Sequence, residues 1–211
     1  KWLVDQMKSI SLIVLHPIYA TGFITPYFKA LGAKIGKKTE ISTASNVTHP
    51  LLHIGDRSFI ADSVSLGESD VRGQQLILEN TYIDDNSFVG NSALIPQGYH
   101  LAGNMLIGVL SIPPTKEQLA LDNAKDWFGT PAIAIPRRQE SESFDDSQTF
   151  SPPAKMIALR TFIESIRIIL PQTIILICSI YFIAYSSELL FYKSVFEIIL
   201  KLPFYYLFFL G

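Results

Sequence analysis

The stretch that decides the fold is residues 54–67, Ile-Gly-Asp-Arg-Ser-Phe-Ile-Ala-Asp-Ser-Val-Ser-Leu-Gly. Ile54, Ile60 and Leu66 recur every six residues, and each is followed by glycine or alanine. A period of six matches neither the α-helix nor an isolated strand, and it is typical of parallel β-helices built from hexapeptides. In such a fold, three short strands make one turn of about 18 residues, and each side of the turn directs one aliphatic residue inward.

The same period continues on both sides of this stretch. Upstream it includes Ile35, Ile41 and Val47, and downstream it includes Val71, Ile77, Ile83, Val89, Ile95, Leu101 and Ile107. Stacked turns bury these aliphatic residues against one another, because one turn cannot bury its apolar side alone. The phase breaks between 47 and 54 and between 66 and 71, where we expect loops to bulge outward. Residues 35–111 suffice for about four turns.

We therefore predict a mainly β protein, in which a left-handed parallel β-helix of hexapeptide repeats is flanked by transmembrane and amphipathic α-helices. The β-helix domain is predicted over residues 31–138. The alternative for the repeats is a set of ordinary half-buried strands.

The composition predicts membrane segments. The chain is 48% hydrophobic and 17% charged, and its mean hydropathy is positive. Twenty uncharged residues, 168–187, lie between Arg167 and Glu188 and are long enough to span a bilayer. Residues 1–30 contain a second uncharged stretch, interrupted by His16, Pro17 and Pro26. We predict a membrane or interfacial helix there, and a buried amphipathic segment is the alternative.

The remaining segments complete the predicted organisation. Thr115 and Gln118 have the spacing of a capping box, which predicts a helix over 116–126. An extended tail to residue 138 should pack back on the repeats. Residues 139–154 are a polar linker, 155–167 an amphipathic helix, and 196–211 the start of a second, incomplete transmembrane helix. Both ends therefore suggest an internal fragment of a longer membrane protein.

Charge and cysteine content bear on location and partners. Seven lysines and arginines flank the two apolar segments on the side of the central domain, against four on the opposite side. The positive-inside rule then predicts an inner-membrane protein whose β-helix domain faces the cytoplasm. The one cysteine, Cys178, cannot form an internal disulfide. A net charge of −2 predicts no nucleic-acid partner.

Several segments together resemble one known family. They are residues 54–67, Phe88-Val-Gly-Asn-Ser-Ala-Leu-Ile-Pro-Gln-Gly98, Ile107-Gly-Val-Leu-Ser-Ile-Pro-Pro114, Trp127-Phe-Gly-Thr-Pro131 and Ile135-Pro-Arg-Arg138. They resemble the membrane-bound terminal region of poly-lysine-synthetase-like non-ribosomal peptide synthetases, over nearly the whole chain. The resemblance implies an upstream adenylation domain and phosphopantetheinyl carrier, followed by three hexapeptide domains that act together in joining amino acids. This chain is similar to the first of the three.

The resemblance also implies partners and a place for the chemistry. Sibling hexapeptide domains would form a pseudo-trimer, or separate chains a homotrimer, with sites in the clefts between neighbours. Phosphopantetheine would be attached to the carrier of the parent protein, and no cofactor is expected on this domain itself.

Acyl transfer to an amine needs a general base that titrates near neutral pH, and histidine is the usual one. His100 and His49 are the candidate catalytic residues, and the favoured alternative for His100 is a solvent-exposed corner residue. His49 and His53 are four apart, a metal-binding spacing only on a helix, and Pro50 argues against a helix. We predict no metal site.

Asp62, Glu68 and Asp70 are candidate substrate-binding residues, because carboxylates in a cleft would attract a lysine-like amine. The alternative is that these charges only interact with water. The resemblance implies that the reactive histidine lies in a later copy of the domain, in a segment that corresponds here to residues 64–72, which contain no histidine. This copy is therefore expected to be mainly structural.

Three functions stay open from the sequence. The first is a membrane-anchored peptide-synthetase domain that assists amide-bond formation between a carrier-bound amino acid and an amine. The second is a separate membrane-associated acyltransferase that uses coenzyme A. The third is a non-catalytic scaffold or docking domain.

Overall fold

The computed structural model of the chain describes residues 16–122, 124–136 and 151–192. The chain divides into two compact units, Lys1–Ile157 and Ala158–Gly211. The first unit holds the β structure and the second holds most of one long helix. The predicted incomplete helix at 196–211 and most of the predicted linker lie outside the described residues.

Three sheets, whose repeat strands pair in parallel, form the body of the first unit, and a separate two-stranded hairpin is described below. The first sheet contains β1 (Lys34–Ile35), β4 (Leu52–Ile54), β9 (Thr81–Ile83) and β12 (His100–Leu101). The second contains β2 (Glu40–Ile41), β5 (Phe59–Ile60), β10 (Phe88–Val89), β13 (Leu106–Ile107), β14 (Asp126–Phe128) and β15 (Ile133–Ala134). The third contains β3 (Ala44–Ser45), β6 (Val64–Leu66) and β11 (Leu94–Ile95).

The chain visits the three sheets in turn and then returns to the first. Ile35 pairs with Ile54, and Val89 pairs with Ile107. The members of each pair are separated by about one hexapeptide turn of the chain. The first sheet accordingly has four strands, as about four predicted turns require. Many short parallel strands with this return distance are consistent with the predicted β-helix.

The six-residue period is the period of burial. The inward residues of the first sheet are fully or almost fully buried, namely Ile35, Ile54, Ile83 and Leu101. The same holds for Ile41, Ile60, Val89 and Ile107 in the second sheet. Because side chains alternate across a strand, the residue before each of these aliphatics points outward. The inward ladders form one continuous hydrophobic core.

One insertion interrupts the repeat, and it corrects the sequence prediction. Val71 and Ile77 were expected to continue the inward series, but they lie in β7 (Asp70–Arg72) and β8 (Gln75–Ile77), which form an antiparallel hairpin. The Val71 side chain is 63% exposed. The hairpin lengthens this turn, so that Ile60 pairs with Val89, well beyond the end of an ordinary hexapeptide turn. The expected outward bulge after residue 66 is thus present, and it is larger than the break in phase indicated.

A line of hydroxyl groups closes the corner between the first and second sheets. Ser58 donates to the carbonyl of Asp84 at 3.0 Å and accepts from the amide of Ser87 at 3.1 Å, while Thr39 accepts from the amide of Ser58 at 3.2 Å. All three hydroxyl residues are buried. Buried backbone groups need such partners, since leaving one unpaired costs stability.

Ser58→Ala is expected to destabilise the β unit by about 1–3 kcal/mol, because it leaves the buried Ser87 amide without its hydroxyl acceptor. Urea unfolding of the full chain in detergent, followed by circular dichroism, measures the change. A loss below about 0.5 kcal/mol, the level of an ordinary surface substitution, would contradict this role.

The described part of the N-terminal segment packs on the β unit. A single 3₁₀ turn, His16–Ile18, is followed by helix α1 (Ile24–Ala30). Ile24 and Phe28 are each 1% exposed in the core. Residues 16–30 therefore contain two short helical segments and not one continuous helix. Residues 1–15 lie outside the described residues.

The segment after the repeats also joins the core. Helix α2 (Lys116–Leu121) begins with the predicted capping box at Thr115 and Gln118, but it ends earlier than predicted. The helix cannot continue to residue 126 because residues 126–128 form β14, which pairs in parallel with β13 in the second sheet. Trp127 is 2% exposed there, and β15 pairs antiparallel with β14. The tail therefore packs back on the repeats, as expected.

Residues predicted as an amphipathic helix and a transmembrane helix form one continuous helix, α3 (Ala154–Tyr192). Its portion Ala154–Tyr185 is long and apolar enough to cross a membrane by length and composition. Pro171 lies inside α3 and not near a helix start, a position that membrane-spanning helices tolerate.

Candidate functional site

The outward positions of the first sheet carry a row of polar and aromatic residues. Lys34 is paired in register with His53, His53 with Tyr82, and Tyr82 with His100. Each of them directly precedes a buried aliphatic residue, so the alternation of the strand directs it to the outer face. We call Lys34, His53, Tyr82 and His100 the outer row.

The three ring-bearing members of the outer row contact one another. The rings of His53 and Tyr82 have centroids 4.6 Å apart with an interplanar angle of 34°. Tyr82 and His100 follow at 5.5 Å and 53°. Neighbouring strands lie about 4.8 Å apart, so a ring at every level of the sheet stacks on the next. Tyr82 thereby separates two imidazoles on one face.

Asp84 orients His100. Both carboxylate oxygens of Asp84 lie within hydrogen-bond distance of Nε2 of His100, at 3.0 and 2.9 Å. In the tautomer that carries its proton on Nε2, His100 donates to the carboxylate and leaves Nδ1 free to accept a proton. Asp84 follows the inward Ile83, the corner position that Gly36 and Gly55 occupy in the preceding turns.

An open groove of about 680 Å³ runs along this face. Outer-row residues Lys34, His53 and Tyr82 line it together with Asp84 and Asp85. Glycines at three of the lining positions keep the floor low, namely Gly36, Gly55 and Gly103. A Cβ on Gly55 would come within 2.2 Å of Oδ1 of Asp85, so this close stacking of turns requires glycine there.

The surroundings of His53 favour its neutral form. Partial burial, and then the charge of Lys34, lower the pKa of His53 below its usual 6.5. Between the lowered pKa and 6.5 the unfolded chain binds more protons at this site than the folded chain does. The contribution of His53 to folding stability is therefore complete above pH 6.5 and is lost as the pH falls toward the folded pKa.

Lys34→Gln is expected to raise the pKa of His53 toward 6.5, because it removes the nearby positive charge. The measurement is an NMR pH titration of the His53 imidazole in the full chain. Lys37→Gln is the control, since Lys37 is an exposed lysine that does not line the groove. A His53 titration that is the same in Lys34→Gln and in the wild type would contradict the assignment.

The two predicted catalytic histidines have different surroundings. His100 lies in the outer row beside Asp84, with its side chain 63% exposed. His49 is buried and packs edge-to-face on Phe28, with ring centroids 4.6 Å apart. It does not line the groove. The structure therefore places His49 in the core, away from the groove.

The three predicted substrate-binding carboxylates also lie elsewhere. Asp62 accepts hydrogen bonds from the hydroxyls of Ser42 and Thr43, Glu68 accepts from the Asn46 amide at 3.1 Å, and Asp70 pairs with Arg72 at 2.6 Å. None of the three lines the groove. Each of the three contacts a local polar partner on the surface, which neither their predicted role nor the alternative of contact with water alone had included. Among residues 16–122, 124–136 and 151–192, no group of three or more potential metal ligands occurs.

Sequence reasoning did not select His53 as a site residue and missed Lys34, Tyr82 and Asp84. The sequence did contain a usable pattern. When the turns are written under one another, the residues that precede the inward aliphatics of one sheet fall at the same position in each turn. Writing the turns in the correct register required the length of the hairpin insertion, and the six-residue period did not reveal that length.

The chain therefore combines a domain of stacked, mainly parallel sheets with a groove that His53 helps to line, and this domain precedes a long apolar helix. No family model matches the chain. The chain is 43% identical over 174 residues to the delta-poly-L-ornithine synthetase of Acinetobacter baumannii (strain AB307-0294). The match covers 82% of this chain and 13% of that protein, so the chain is homologous to a small part of a poly-amino-acid synthetase.

Proposed function

We propose that this chain is a membrane-anchored domain of a poly-amino-acid synthetase that promotes amide-bond formation between a carrier-bound amino acid and an amine. The homology to part of the delta-poly-L-ornithine synthetase supports the type of parent protein. The observation that carries the proposal for the domain itself is the pairing of His100 with Asp84 beside the groove.

The finer features of the architecture belong to the same proposal. The three parallel sheets, with pairing intervals of about one hexapeptide turn outside the hairpin, support a left-handed β-helix over residues 31–138. The apolar helix α3 supports anchoring in the inner membrane, and the distribution of basic residues supports a cytoplasmic β-helix domain. Sibling hexapeptide domains and an upstream carrier are the proposed partners.

The proposed reaction is acyl transfer with balanced proton movement. The ammonium group of the acceptor first releases one proton to solvent. The neutral amine nitrogen then forms a bond to the thioester carbonyl carbon, and Nδ1 of His100 accepts the second proton that the nitrogen loses. Asp84 holds the imidazole in the required tautomer and stabilises its protonated form. The carbon–sulfur bond then breaks, and His100 returns the proton to the thiolate. The products are one amide and one free thiol.

The thioester is the acyl donor, and its source separates two functions. Free coenzyme A carries a highly charged nucleotide, whereas a pantetheine arm presented by a carrier protein enters with little charge. Among the residues that line the groove, Lys34 carries the positive charge, whereas Asp84 and Asp85 are two carboxylates. This balance disfavours the phosphates of coenzyme A and supports a carrier-delivered thioester over the stand-alone acyltransferase.

A scaffold function is the second candidate, because the second sheet exposes an aromatic stack. Phe59 and Phe88 lie with ring centroids 5.5 Å apart and planes 11° from parallel, and each is 37% exposed. Exposed aromatics that stack on the outer face of a sheet suit contact with another protein domain. Under this function the groove would not take part in the reaction.

Reconstitution of the full-length protein that contains this chain tests the proposal. With ATP and ornithine, the wild type should form amide-linked oligomers, detected by mass spectrometry, without added coenzyme A. Oligomers that are absent unless acyl-coenzyme A is supplied would favour the stand-alone acyltransferase. Unchanged turnover when the Asp84–His100 pair is disrupted would favour the scaffold.

A further inference from the structure

The groove has opposite charges at its two ends. Lys34 lies on β1, in the first turn, whereas Asp84 and Asp85 follow β9, in the third turn. Strands are about 4.8 Å apart, so the backbone positions of the two ends are separated by two strand spacings, about 10 Å. Because the lysine side chain is long, its ammonium group can extend along the groove. A ligand whose two charges are separated by less than this backbone distance can therefore contact both ends.

The middle of the groove is aromatic. His53 and Tyr82 stack between the two charged ends, and the backbone of Gly36 and Gly55 forms the floor. Partial burial and the charge of Lys34 lower the pKa of His53 below 6.5, so His53 is mainly neutral near pH 7. Such a wall packs well against a methylene chain, since aromatic faces offer apolar area without repelling either end of the ligand.

The charged side chains at the two ends of the groove differ in how many protein partners they already have. In the described part of the chain, no carboxylate lies within ion-pair distance of Lys34. Asp85 uses Oδ1 to accept from the Asp56 amide at 2.6 Å, and Asp84 contacts His100. A carboxylate has about four lone-pair positions, so both aspartates keep capacity for an ammonium donor.

From this polarity we infer that the groove binds an unbranched amino acid in one orientation, with its carboxylate on Lys34 and its terminal amine at Asp84 and Asp85, beside His100. The inference rests on the proposed function and deepens it, because it assigns the acceptor and its direction. The ligand class is a zwitterion whose two charges are separated by several methylene groups. Lys34 is then the residue that selects acceptors with a free carboxylate.

Binding of three small probes to the full chain in detergent tests this orientation. The probes are 5-aminopentanoate, its carboxamide 5-aminopentanamide, and pentanoate, which lacks the amine. The readout is the NMR shift of the His53 and His100 imidazoles, recorded at pH 8, where His53 is neutral with or without Lys34. Saturable shifts of both imidazoles are expected with 5-aminopentanoate, and weaker binding with each of the other two probes.

Variants assign the two ends. Lys34→Gln is expected to weaken 5-aminopentanoate binding about tenfold or more, the value of a charge-assisted hydrogen bond, and to leave 5-aminopentanamide unchanged. Lys34→Arg should restore binding, and Lys37→Gln should have no effect. Asp84→Asn should weaken both amine-bearing probes and leave pentanoate unchanged.

Three outcomes would overturn the inference: no saturable shift, equal affinity for all probes, or a Lys34→Gln effect of the same size on 5-aminopentanamide. Because this assay measures binding without turnover, its failure is distinguishable from failure of the proposed reaction. Directional binding together with unchanged turnover in His100→Ala would refute the reaction and leave the binding site standing.

Discussion

His100→Ala is expected to slow amide-bond formation by the full-length protein about 10²–10⁴-fold, the usual contribution of a positioned general base. The imidazole of His100 lies beside the groove, is held by the Asp84 carboxylate and has a side chain that is 63% exposed. The measurement is the single-turnover rate of product formation, with the carrier already loaded, so that amino-acid activation does not limit the rate.

Asp84→Asn separates a base from a structural histidine. An asparagine still accepts or donates a hydrogen bond, but it lacks the negative charge that would face the imidazolium formed during the reaction, so the rate should fall. Lys37→Gln is the matched control outside the groove and should turn over like the wild type. A His100→Ala rate within about twofold of the control would contradict the catalytic role of His100 and would favour the scaffold function.

Ile95→Ala is expected to destabilise the β unit by about 2–5 kcal/mol. Ile95 is fully buried in β11, at one end of the inward ladder of the third sheet, where it pairs with Leu66 of the central strand β6. Removing three carbons leaves a cavity between turns that are tightly stacked, so little relaxation can fill it. Urea unfolding of the full chain in detergent gives the change in the free energy of unfolding.

Leu94→Ala is the matched control for that substitution. Leu94 precedes Ile95 on the same strand but points outward and is 42% exposed, so its truncation should cost much less. The contrast between adjacent residues tests the inward and outward alternation directly. Equal losses at positions 94 and 95 would mean that the outer face of this sheet is buried by another part of the protein.

The fold was largely predictable because its main determinant is local and periodic. Every sixth residue from Ile83 to Ile107 is buried, as are the earlier members Ile35, Ile41 and Val47. The prediction was wrong at Val71 and Ile77, which keep the period but belong to the exposed hairpin. Hydrophobicity alone does not distinguish a residue that enters a core from one on a projecting hairpin, because both sequences look like strands.

The candidate site was less predictable. His100 was chosen for its chemistry and does lie beside the groove, whereas His49, chosen on the same grounds, packs against Phe28. His53 was judged only as a possible metal partner of His49 at a spacing of four. Its actual neighbours are Lys34, one turn earlier in the chain, and Tyr82, which follows only after the hairpin. No short spacing in the chain connects these residues.

The sequence by itself determined the properties that depend on near neighbours. These are the six-residue rhythm of burial, the capping box of α2, and a helix long and apolar enough to cross a membrane. Only the tertiary structure decided which outward residues meet. The pairing of turns depends on the length of every insertion between them, and the β7–β8 hairpin alone adds its own length to the interval between Ile54 and its partner Ile83. The outer row, and the groove with its two oppositely charged ends, exist because of that register.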